Sequence, residues 1–100
     1  MNTSMIEAHS VAAQDVLFTD DSIVLHLTDG RTLSVPLAWY PRLLHGSAAE
    51  RANWQLIGRG EGIHWPELDE DISAVGLLAG KPSAESQASL KQWLSSRAVR

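Results

Sequence analysis

At 100 residues the chain has room for one hydrophobic core, and 44% apolar against 20% charged residues is a globular mixture, not a disordered one. The absence of cysteine excludes a disulfide framework, a thiolate metal site and a cysteine nucleophile. A net charge of -4 with eight scattered basic residues argues against nucleic-acid binding, because neutralising phosphates takes a cluster of Lys and Arg.

Residues 1–13 are small or polar without a period and are expected to form a frayed start or a partly ordered strand. From Asp15 the pattern becomes that of strands. Val16 and Phe18 alternate with Leu17, Asp20-Asp21-Ser22 supplies a turn, and Ile23, Leu25 and Leu27 alternate with Val24, His26 and Thr28. Asp29-Gly30 is a hairpin signal, since glycine accepts positive φ, and 32–35 alternates again. A three-stranded antiparallel meander follows.

Pro36 removes a ladder donor and ends the third strand, after which 37–44 turns helical around Pro41. Ser47 and Glu50 form the pattern of a capping box and predict a short helix over 47–53. Residues 54–57 and 63–65 predict one or two further short strands extending the meander, joined by a glycine-rich turn at 58–62. A short helix is expected over 74–79, between the cap Ser73 and Gly80. A last helix over about 84–97, capped by Ser83, carries Leu90, Trp93, Leu94 and Arg97 on one face. The fold class is α+β in a single domain, 1–100, with a C-terminal helical extension over 81–100. Its thin apolar stripe predicts a partner surface and suggests a homodimer through this helix.

Apolar stretches such as 23–27 fall far short of the roughly 20 residues needed to cross a bilayer, so no membrane association is expected. Residues 1–13 have no basic segment followed by an apolar one, so a secretory signal is not expected and the location is read as cytoplasmic.

The chemistry-bearing residues crowd into 39–71. Gly60-Glu61-Gly62 is followed by Ile63-His64-Trp65-Pro66, which cannot open the helix a phosphate loop needs, so a turn is the better reading. His64, Asp69 and Asp71 are the weak candidates for a divalent metal, with turn or cap roles as the competing reading for the two acids. Ser34, Ser47 and Ser73 lie in no nucleophile elbow, so no enzyme activity and no cofactor is expected. Trp, Tyr and Arg dominate binding hot spots, and Trp39, Tyr40, Arg42, Arg51, Trp54, His64, Trp65, Asp69 and Asp71 form the candidate binding surface. The tryptophans compete for core positions as well. Arg42 and Arg51 are alternatively internal ties to Glu67, Asp69 or Asp71, or, for Arg51, a carboxylate-binding fork beside Trp54.

Several runs taken together carry a family likeness. They are Leu27-Thr28-Asp29-Gly30-Arg31-Thr32-Leu33-Ser34-Val35-Pro36-Leu37, then Trp39-Tyr40-Pro41-Arg42, Glu50-Arg51-Ala52-Asn53-Trp54, Gly60-Glu61-Gly62-Ile63-His64-Trp65-Pro66 and Asp69-Glu70-Asp71-Ile72-Ser73. Over residues 16–80 the chain resembles the small bacterial family called domain of unknown function 2442. The resemblance implies a small α+β fold with an N-terminal meander. For some members it also implies an appended helix-turn-helix, or a neighbouring gene in a toxin–antitoxin-like pair. The single helix expected after Gly80 is too little for a helix-turn-helix. The functional expectation is a protein-interaction module, antitoxin-like or an adaptor in a small two-gene system, with a small-ligand or divalent-metal domain as the alternative.

Overall fold

The computed structural model describes residues 11–98; the expected frayed start falls, for residues 1–10, outside the described residues. Strands β1 (Ala13–Phe18), β2 (Ser22–Leu27) and β3 (Thr32–Pro36) form the expected antiparallel meander in the order β1-β2-β3. Its register follows the alternation: Ile23, Leu25 and Leu27 of β2 face inward and are buried, opposite Val16 of β1 and Val35 of β3. Gly30, at φ 95, closes the second hairpin as its sequence requires.

Pro36 ends the sheet, a 3-10 turn covers Leu37–Trp39, and Pro41 occupies the first position of the short helix α1 (Pro41–His45). Helix α2 (Ala48–Ala52) starts on the predicted capping box: Ser47 Oγ accepts from the Glu50 amide, and the Glu50 carboxylate accepts from the Ser47 amide.

The next strands, β4 (Gln55–Ile57) and β5 (Gly62–Trp65), do not lengthen the first sheet. They pair with β6 (Glu70–Ser73) into a second antiparallel sheet in the order β4-β5-β6. Gly60, in the turn between β4 and β5, touches the first sheet at Ala13. Its carbonyl accepts from the Ala13 amide at 2.6 Å, its φ is 91, and a Cβ there would overlap the Ala13 backbone. A single buried cluster draws on both sheets, with Trp65, Ile23, Leu25, Leu37, Leu43, Ile63 and Leu68 fully enclosed.

Helix α3 (Ala74–Leu78) has its N-terminus capped by Ser73 Oγ and ends in a Schellman motif, with Gly80 at φ 74. There the Gly80 amide donates to Leu77 O and the Lys81 amide to Gly76 O. Helix α4 (Gln87–Ala98) begins about a turn later than the sequence suggested. Ser83 Oγ accepts from the Glu85 amide and closes a local turn, whereas Ser86 Oγ accepts from the Ser89 amide and caps the helix.

Candidate functional site

Two surfaces hold six of the nine predicted site residues, and a third surface holds none of them. The first is a cleft of about 520 Å³ between β6, α3 and the strap 81–85, which brings together Tyr40, Arg42, Asp69 and Asp71 of the expected set. Arg42 projects from α1 and forms a bidentate pair with Glu85, at 2.7 Å from Nη2 and 2.9 to 3.0 Å from Nε. The hydrogen bonds from Arg42 hold the Glu85 carboxyl below its ordinary value, and Glu85 raises the Arg42 guanidinium in turn. Arg42 also reaches Asp69, at 3.7 Å to its carboxylate. Glu70 sits half-buried beside this pair; burial first, and then the charge of Glu85, push its carboxyl up to about 6. Tyr40 is buried, and its hydroxyl donates to Lys81 O at 2.5 Å, fastening the strap to the body.

His64 and Asp71 face each other across β5 and β6, with Nδ1 and Oδ1 2.5 Å apart. Asp69 turns instead toward Arg42, from a left-handed backbone (φ 50) that Asp tolerates better than most residues. The trio weighed for a metal is thus split between two partners. Among the described residues no group of three or more His, Asp or Glu is arranged to hold an ion. Ser47 and Ser73, weighed as nucleophiles, serve as helix caps.

The second surface is a groove of about 420 Å³ between β1 and α2 that holds Arg51 and Trp54. Arg51 does not pair with Glu67, Asp69 or Asp71. Its Nη2 donates to Gly46 O at 2.9 Å, and Glu67 instead accepts from Asn53. The third is the edge of the second sheet. All three residues of β4 are exposed, including Leu56 at 39% and Ile57 at 46%.

Trp65, expected on the binding surface, is in the core at 0% exposure. It meets Phe18 edge to face at 6.2 Å, and its Nε1 donates to Arg51 O at 2.9 Å. Trp39 is exposed at 37%, and its carbonyl accepts from the Ser83 amide. Sequence reasoning missed Glu70 and Glu85. An acid within the Glu67–Asp71 run and another next to a serine carried no signal that one would be desolvated and the other would neutralise Arg42.

The family described as "protein of unknown function (DUF2442)" matches residues 13–83. The chain belongs to this family. The DUF2442 match ends in the strap, so α4 lies beyond it. A crystal structure of a protein of unknown function from Rhodospirillum rubrum is similar at 26% identity and a TM-score of 0.64, covering 80% of this chain and 96% of that one. A solution structure of an uncharacterized protein from Chromobacterium violaceum shares the fold at 19% identity and a TM-score of 0.66, covering 94% and 83%. No curated protein matches the chain. Among the described residues no helix is long and apolar enough to cross a membrane.

Proposed function

We propose that the protein is a protein-interaction module. The observation that supports this best is β4, an edge strand with every residue exposed and two large aliphatic side chains in water. An unpaired edge offers amides and carbonyls to an incoming strand, and covering Leu56 and Ile57 would add about 25 cal/mol for each Å² of apolar surface removed from water. The antitoxin-like or adaptor role draws its support from the family resemblance. Self-association through α4 is a narrower form of the same reading, supported by half-buried Leu90 and Leu94 beside a shallow groove on that helix.

The native chain should recover a stoichiometric protein from its host. The double variant Leu56→Lys, Ile57→Lys should lose it while keeping the native unfolding free energy within about 0.5 kcal/mol, as surface substitutions do. Recovery of nothing stoichiometric by the native chain ends the reading.

A second reading, a small-ligand domain, is favoured by the cleft. Asp69, Glu70, Asp71 and Glu85 outnumber Arg42 and Lys81 there, so a ligand would be cationic. Calorimetric titration with small organic amines tests it; equal, negligible heats for native protein and Glu70→Gln exclude it.

A further inference from the structure

The groove between β1 and α2 supports a sharper statement about the partner, which rests on the interaction reading but on residues separate from β4. Its apolar side is built from Leu17, 49% exposed, with Phe18 and Trp54 half-buried. Its polar feature is Arg51. Arg42 and Arg97 each fork onto a carboxylate, Glu85 and Glu50, whereas Arg51 has no carboxylate within ion-pair distance among the described residues. Asp20 lines the far turn of the groove without reaching it. The guanidinium lies over the Phe18 ring at 5.9 Å, Nη2 is held by Gly46 O, and Nε is buried with no partner. A half-buried guanidinium in apolar surroundings is costly without a counter-charge, and its planar fork matches a carboxylate.

Arg51 is also held still. Its helix is fixed by the Ser47–Glu50 capping box and its carbonyl by the Trp65 indole, so little freedom is lost when an anion docks. Beside it, β1 is the edge of the first sheet, but the Val16 amide already donates to Asp15 Oδ1 at 2.9 Å. That bond competes with an incoming strand at that point, which favours recognition through side chains.

We propose that this groove binds an extended segment of a partner protein in which an acidic side chain neighbours bulky apolar ones. The carboxylate meets Arg51, and the apolar side chains cover Leu17, Phe18 and Trp54. The probe is the blocked peptide Ac-LELEL-NH2, titrated into the ¹⁵N-labelled full chain, with Ac-LQLQL-NH2 as the uncharged control. The acidic peptide should move amide signals of residues 16–20 and 48–54 and bind at least about tenfold more tightly than the control. Arg51→Gln should erase that preference, and Arg51→Lys should restore only part of it, since the charge returns without the fork. Leu17→Glu alters a half-exposed position and keeps the fold; it should weaken the acidic peptide by about tenfold through like-charge repulsion.

Equal affinity for the two peptides, no binding of either at millimolar concentration, or shifts centred on β4 or the acidic cleft would overturn the assignment. A host partner lost with the β4 variant but kept by Arg51→Gln would also overturn it, while leaving the interaction reading intact.

Discussion

The body of the molecule and its C-terminal helix are held together by different forces. Over residues 13–83, the span of the family match, sixteen apolar side chains, counting Val11 just before it, close into one buried cluster. Helix α4 adds no fully buried side chain over 87–97. It is fastened at both ends by arginine–glutamate forks, Arg42 to Glu85 before its start and Arg97 to Glu50 in its last turn. Between them Trp93 lies under two guanidinium groups, 5.0 Å from Arg42 and 4.6 Å from Arg97. Apolar burial is non-directional and makes the body one cooperative unit, whereas α4 depends on these few directional contacts and on half-buried Trp93, which packs against the same core.

The strongest test of that contrast is Trp65→Ala. It removes a fully enclosed ring together with its edge contact to Phe18 and its bond to Arg51 O, and should cost about 3–5 kcal/mol of global stability, read from urea unfolding. Trp93→Ala should act locally. Losing the two cation–π contacts should release α4 by about 2 kcal/mol, a rise of roughly 30-fold in its amide exchange, with the amides of β2 unchanged. An equal rise in β2 would mean that α4 opens only together with the body.

The same contrast explains what could be read from the sequence. The meander was legible because Ile23, Leu25 and Leu27 keep a strict period of two, and Asp29-Gly30 marks a tight turn between two such runs. The caps at Ser47 and Ser73 were legible because a cap is a local hydrogen bond with a fixed spacing. Strand β6 was not. Glu70, Asp71 and Ser73 are poor strand formers, and they become a strand through Asp69 in a left-handed turn and the pairing of Asp71 with His64, both tertiary outcomes. In the candidate site, residue type picked out Arg42 and Arg51 but could not assign their partners. Glu85 lies 43 residues from Arg42, and nothing in its neighbourhood marks it. Nor could the sequence separate Trp65, in the core, from Trp39, at the surface.

Glu50 belongs to both regions: it caps α2 and anchors α4. Hydrogen bonds from Arg97, then the bond from the Ser47 amide, hold its carboxyl down to about 2. A carboxyl with a lowered folded value stabilises the native state above its unfolded value, near 4.5, and loses that contribution as pH falls toward 2. Glu50→Gln keeps a capping-box residue and removes the charge, so it should cost about 1 kcal/mol at pH 7 and little at pH 2, with the loss concentrated in α4 amides.

Glu70 should give the smallest effect and the opposite sign. It sits at the junction, where β6 meets the strap leading to α4, desolvated and close to Glu85. With its folded value raised to about 6 from 4.5, the native state binds more proton than the unfolded chain between those values. Stability therefore falls as pH rises through that window and stays lower above it. Glu70→Gln removes the charge that Glu85 opposes, so it should be neutral at pH 4 and stabilise the protein by up to about 1 kcal/mol at pH 7.5, measured as the shift in urea midpoint. If the gain also appears as slower exchange in α4, the repulsion at the junction loosens the attachment of α4. If it appears equally throughout β2 and β5, Glu70 belongs energetically to the body, and the boundary between the two regions lies after the strap.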